Sequence, residues 1–164
     1  MRLHLQSILH AAPEAVWDLA LQPLTRLRLS RPLLALRPSG MGTAEAQEWR
    51  PGLVLDYRLR LLGLVPLGRY RIEVTDVDRG RNEIRTRERS WLVPAWTHLM
   101  RVRRLPDGRT LYADLVEIPD GARAPLGWLL GRVILLHHHR RWPRVLEEDQ
   151  DRIRWTGGNR DREP

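Results

Sequence analysis

Any chemistry in this chain has to come from a small set of side chains: Glu88, His98, Tyr112 and Asp114, with Thr86, Ser90 and Thr110 beside them. They recur at every second residue within three successive stretches, 82–92, 95–105 and 109–118. A period of two is that of a β-strand, so each stretch puts its share on a single face. The same faces carry Ile84, Trp96, Met100, Val102, Val116 and Ile118, which makes them the inward ones. A buried polar group costs free energy unless it is hydrogen-bonded. So many together point to a cavity wall that holds water or the polar head of a ligand. An imidazole between two carboxylates can orient a polar substituent or move a proton. The same trio is also what a buried histidine needs in order to be satisfied. Two readings follow: a fixed polar patch in a binding pocket, or the acid/base group of a cyclase- or dehydratase-type enzyme using His98 with Glu88 or Asp114.

His137-His138-His139 is the other cluster of potential ligands. Consecutive residues of a helix point about 100° apart, so three in a row cannot converge on one ion. No Asp or Glu lies within a turn of them, and no metal is expected. The chain has no cysteine, no lysine and no Gly-x-Ser-x-Gly elbow. Without a nucleophile, an oxyanion site or a metal, binding is favoured over catalysis, no catalytic residue is assigned and no cofactor is expected.

The elements that must hold these residues are readable in order. Residues 2–10 alternate, with Leu3, Leu5, Ser7 and Leu9 on one face of a first strand. Pro13 and Glu14 sit where a helix start wants them, and Pro23 ends that helix after about Leu21. A second short helix covers 24–29. Residues 31–42 carry two prolines and two glycines and read as a loop. Strands then follow at 43–49, 53–62, around 69–74, 82–92, 95–105 and 109–118, with Tyr57 and Tyr70 inward on the second and third of these. Short connections make them an antiparallel meander whose last strand pairs with the first. Pro125 to Leu146 is the only stretch long and apolar enough for a central helix, with a kink expected near 139–143 from Pro143. The expectation is an α+β chain: a seven-stranded curved antiparallel sheet around a long C-terminal helix, with two short helices after strand one. It makes one domain over 1–149 and a polar tail over 150–164.

This order, with Ala11-Ala12-Pro13-Glu14-Ala15-Val16-Trp17 directly after the first strand, resembles the START/SRPBCC superfamily, the helix-grip fold of the polyketide cyclase/dehydrase-like proteins. Trp96-Thr97-His98, Gly108 to Asp114, Pro125-Leu126-Gly127 and His139-Arg140-Arg141 support it. Its uncharacterised bacterial ligand-binding members look most similar. The resemblance implies a cavity between sheet and helix and no particular reaction. The pocket expected there has walls from Tyr57, Tyr70, Trp96 and Met100 and a polar side from Glu88, His98, Tyr112 and Asp114. Its partner would be a small hydrophobic or amphipathic molecule.

The formal charge is +8, and all 28 basic residues are arginine. Nine of them, Arg58, Arg60, Arg69, Arg71, Arg85, Arg87, Arg89, Arg101 and Arg103, project from the outer face of the sheet. An anionic partner there, including a membrane surface, is a second alternative. Nucleic acid is not expected, because no aromatic residue interleaves with the arginines to stack bases. The absence of cysteines, of a signal-peptide core and of a run long enough to span a bilayer leads to a cytoplasmic expectation. Nothing in the sequence specifies an oligomeric state.

Overall fold

The computed structural model describes residues 1–39, 48–91 and 95–160. Strand β1 (Arg2–Leu9) buries Leu3 and Leu9 and exposes Arg2, His4, Gln6 and Ile8, as its alternation requires. Helix α1 (Pro13–Ala20) starts on Pro13 with Glu14 in its first turn. Helix α2 (Pro23–Ser30) starts on Pro23. In both, proline supplies a preset φ where its missing N–H leaves no unpaired acceptor.

The next strand corrects the sequence reading. β2 (Leu34–Pro38) occupies part of the stretch expected to be a loop. Leu34 and Leu36 are buried and pair opposite Leu61 and Leu59. Pro38 does not stop the strand, because β2 is the sheet edge and Pro38 its last residue, where a ladder N–H is dispensable. The strand expected over 43–49 lies largely outside the described residues; Glu48 and Trp49 are described and are not in a strand.

Four of the remaining strands fall where expected, β3 (Val54–Leu61), β5 (Glu83–Ser90), β6 (Trp96–Arg104) and β7 (Thr110–Glu117), while β4 (Val65–Asp78) extends past 69–74 at both ends, into stretches that read as turns. They form one seven-stranded antiparallel sheet in the order β1-β7-β6-β5-β4-β3-β2, so the first strand does pair with the last. The β6–β7 turn is closed by Gly108 N–H to the Leu105 carbonyl at 3.0 Å, with Gly108 at φ +80, a region that favours glycine. This turn fixes the register in which Met100 faces Asp114 and His98 faces Val116.

Helix α3 (Ala124–Arg160) packs on the sheet and touches α2 and β1. It runs on through Pro143 and past Gln150, where the sequence suggests a tail. Its buried positions, Leu135, His138, His139, Trp142, Val145 and Leu146, recur at three- and four-residue spacing and define the face turned to the core. Trp142 is 1% exposed and meets the Tyr112 ring at 4.9 Å between centroids. The architecture is α+β and helix-grip-like. No helix among the described residues is long and apolar enough to cross a membrane.

Helix α3 lies close to the sheet at Gly131. A Cβ there would lie 2.9 Å from Leu3 Cδ1 and 3.2 Å from Trp96 Cζ3. Leu3 Cδ1 is the end of a flexible side chain and can give way, and alanine is the better helix former by about 1 kcal/mol. Gly131→Ala is therefore expected to change stability by less than about 1 kcal/mol, whereas Gly131→Leu should destabilise by about 1–3 kcal/mol through overpacking. Urea unfolding of the two variants checks this; equal loss in both would contradict it.

Candidate functional site

Strand parity and the register bring Glu88, His98 and Asp114 together on the inner face. Glu88 pairs across from Trp96, and His98 from Thr86, while Asp114 lies diagonal to His98. His98 Nε2 donates to Asp114 Oδ1 at 2.8 Å, and His98 Nδ1 lies 3.2 Å from Glu88 Oε1. Two groups from the helices complete the arrangement. From α2, Arg26 Nη2 donates to Glu88 Oε2 and to the Tyr70 hydroxyl, each at 2.8 Å. From α3, His139 Nε2 donates to Asp114 Oδ2 at 3.0 Å, while its Nδ1 meets Ser7 Oγ of β1 at 2.7 Å.

Glu88 is almost saturated with donors. Oε2 also accepts from Trp96 Nε1 at 2.6 Å and from the Tyr70 hydroxyl, and Oε1 accepts from Thr86 Oγ1 at 2.8 Å. Tyr112 donates its hydroxyl to Asp114 Oδ1 at 3.1 Å. A carboxylate so fully used cannot also receive a proton from a substrate without breaking its own bonds.

The charge states follow from burial set against partners. Burial alone would raise the Glu88 carboxyl, but the Arg26 charge and the bonds from His98 and Tyr70 outweigh it and hold it well below the carboxylate range. Asp114 behaves likewise: burial is overcome first by the His98 charge, then by the bonds from His139 and His98. Burial opposes the His98 charge too, yet Asp114 and then Glu88 push that imidazole up to about 9. Burial also opposes the Arg26 charge, and Glu88 and Tyr70 overcome it. At neutral pH these four groups are two cations and two anions, a balanced set inside a low-dielectric interior.

His138 is different. Burial and then the Arg26 charge lower it to about 3, so it is neutral. The Ser30 hydroxyl donates to the Arg26 carbonyl at 2.8 Å, so it accepts from His138 Nε2 at 3.1 Å. His137 Nε2 bonds the Arg31 carbonyl at 3.0 Å. The three consecutive histidines thus diverge and share no partner, as helical geometry dictates.

Beside the network lies a cavity of about 180 Å³ between α2, the β2–β5 half of the sheet and α3. Its walls are mostly leucine, from Leu34 and Leu36, Leu59 and Leu61, Leu67 and Leu130, closed by Val133 and Ile134. Its polar side is Arg26, Ser30, Tyr70, Glu88 and His138, with Arg89 and Ser90 at its β5 end. Within the network Arg26 is the accessible member: its side chain keeps 11% of its surface exposed, against none for Glu88.

Of the expected pocket residues, Tyr70, Glu88 and Trp96 line this cavity. His98, Tyr112 and Asp114 stand behind it in the network, and Tyr57 and Met100 pack in the hydrophobic core. Sequence reasoning missed Arg26, Ser30, His138 and His139 as site residues. A signal for the first existed: two inward carboxylates against one imidazole leave a net negative charge that demands a buried cation from outside the sheet.

The chain is similar in fold to two solved structures. Protein CV1439 from Chromobacterium violaceum is 18% identical, with 87% of this chain and 96% of that one covered and a TM-score of 0.63. Protein Ms6760 from Mycobacterium smegmatis is 13% identical, with 88% and 90% covered and a TM-score of 0.69. No curated protein matches. The family model described as a domain of unknown function, DUF8410, matches residues 7–146, and the chain belongs to that family.

Proposed function

We propose that this protein is a START/SRPBCC-type binding module that holds a small, mostly apolar molecule carrying one neutral hydrogen-bond acceptor. The observation that carries the reading is the cavity itself: a leucine wall facing the charge-balanced guanidinium of Arg26. Apolar walls with a few convergent polar groups are the usual make-up of a ligand pocket. A cavity of about 150 Å³ takes up a benzene molecule, so about 180 Å³ suits a single ring or a short chain.

The head group follows from the donors left over. Protonated His98 directs its Nδ1 proton to Glu88, so Arg26 Nη1, 3.2 Å from that nitrogen, cannot donate to it. A guanidinium N–H then remains for a ligand oxygen. A carbonyl or hydroxyl satisfies it without disturbing the charge balance, whereas a carboxylate adds an uncompensated buried anion. The saturated Glu88 and the strongly shifted His98 favour binding over turnover, because neither group is poised near neutral pH for proton transfer.

Titration with acetophenone and benzoate, followed by protein NMR, is the test. Acetophenone should bind saturably with a dissociation constant of about 0.1–1 mM, as fits so small a ligand. Benzoate should bind at least about tenfold more weakly, and Leu67→Trp, which fills the cavity, should abolish binding of both. Failure of acetophenone to bind at several millimolar would end the proposal. Tighter binding of benzoate would overturn the neutral head group.

A further inference from the structure

We propose that the outer face of the sheet, opposite the cavity, carries a second site for a phosphorylated planar aromatic molecule of nucleotide size. The pairing register gathers the arginines into rows. Arg37, Arg58 and Arg69 stand directly opposite one another across β2, β3 and β4. One row over, Asp56, Arg71 and Arg89 do the same across β3, β4 and β5. Like charges directly opposite on neighbouring strands repel, and a fold tolerates them best where something anionic sits between.

The charges cancel only in part: Asp56 feels both Arg71 and Arg69. Arg71 spends its fork on Asp56, with Nε to Oδ1 at 2.8 Å and Nη2 to Oδ2 at 2.9 Å. Arg89 Nη2 is 3.8 Å from Glu73 Oε2. Arg37, Arg58 and Arg69 make no ion pair among the described residues. Directly opposed side chains have Cβ atoms about 5 Å apart, so the forks of Arg58 and Arg69 can close on one phosphate.

The surface there is concave and has an aromatic wall. A pocket of about 440 Å³ is lined by Asp56, Arg58, Arg69, Arg71, Arg89 and Trp91 among others, a size in the usual range for small-molecule sites. Trp91 supplies the aromatic group that the strand sequences alone lack. It is 62% exposed, an unfavourable place for an indole unless a partner covers it. It is nonetheless held in position. Its Nε1 donates to the Leu67 carbonyl, and its own carbonyl accepts from Arg123 Nη1 at 3.0 Å. The ring lies against the backbone of Gly68, where a Cβ would come within 2.6 Å of Trp91 Cδ1. Gly68 has φ +85, so both its conformation and this contact call for glycine. A tethered, exposed ring beside guanidinium forks that make no ion pair among the described residues is suited to stacking a base while a phosphate is gripped.

Calorimetric titration of the full chain at low salt with ADP, pyrophosphate, adenosine and a single-stranded hexanucleotide tests the site. ADP should bind one to one, about tenfold or more tighter than pyrophosphate or adenosine. Arg58→Glu and Arg69→Glu should each weaken ADP binding by about tenfold or more. Arg103→Glu, the same charge change elsewhere on the outer face, should weaken it by less than about threefold. Trp91→Ala should bring ADP down to the pyrophosphate affinity and leave pyrophosphate unchanged, with Trp91→Phe restoring much of the difference. Four results would overturn the proposal: no saturable ADP binding with a dissociation constant of about 1 mM or tighter, equal affinity for ADP and pyrophosphate, an Arg103→Glu effect as large as that of Arg58→Glu, or a preference for the hexanucleotide over ADP.

Discussion

Arg26→Met is expected to destabilise the protein more than any truncation of a leucine on the cavity wall, by about 3–5 kcal/mol. Arg26 is the group whose charge holds Glu88 ionised in the interior. Glu88 has no exposed side-chain surface, so water cannot replace the lost partner. Removing one half of a buried ion pair leaves the desolvation penalty of the other half uncompensated. In a chain of this length each kcal/mol lowers the melting temperature by about 2–4 °C, so a drop on the order of 10 °C should be seen. The effect belongs to charge and not to lost packing if two further results hold. Arg26→Met/Glu88→Gln should recover much of the stability, because the buried anion is gone and the amide keeps most of its bonds. The deficit of Arg26→Met should also shrink in acid. Without Arg26, the largest effect opposing burial is gone and the Glu88 pKa rises from its depressed value, so the variant loses less stability than the wild type as pH falls. A loss below about 1 kcal/mol, a third of the smallest value typical of breaking a buried ion pair, or a double variant worse than the single one, would show that Arg26 does not carry the network.

How much of this was legible in the sequence depended on the kind of signal. A period of two placed Glu88, His98, Tyr112 and Asp114 inward correctly, because a strand with one buried face cannot slip by a residue without exposing all its apolar side chains. The first-to-last pairing followed from tight turns and the absence of any crossover. Strand β2 was hidden because Leu34-Ala35-Leu36 is short and flanked by Pro32 and Pro38, whose usual meaning is a turn. Only the position at a sheet edge makes Pro38 acceptable. Arg26 was hidden for another reason. Helix α2 is eight residues long, too short for a period to reveal its buried face, and its partners lie 44 to 72 residues away. His138 and His139 were readable in principle, since they share the three- and four-residue spacing of Leu135, Trp142 and Val145.

Stability should peak near pH 6.5 and fall on both sides, and the two limbs should belong to different histidines. On the alkaline side the relevant group is His98, raised to about 9 in the folded chain. Unfolded, it titrates near 6.5. Between those values the folded state binds one proton more than the unfolded state, so stability decreases as pH rises. The contribution is fully present below about 6.5 and is lost by about 9, on the order of 3 kcal/mol in all. On the acid side the relevant group is His138, lowered to about 3. Between that value and 6.5 the unfolded state binds the extra proton, so stability decreases as pH falls. Glu88 and Asp114, both held below the carboxylate range, steepen the loss once pH drops through their unfolded values near 4. Groups facing His98 are Arg26 from α2, Glu88 from β5 and Asp114 from β7, and those near His138 are Arg26, His98, Asp114 and His137. Urea midpoints measured from pH 4 to 10 give the curve. His98→Gln should flatten the alkaline limb while lowering the maximum, and His138→Gln, which can keep the bond to Ser30, should flatten the limb between about 4.5 and 6.5 without touching the alkaline one. A wild-type curve that rises between pH 7 and 9, or a His98→Gln variant that keeps the alkaline slope, would show that the imidazolium between Glu88 and Asp114 does not stabilise this fold.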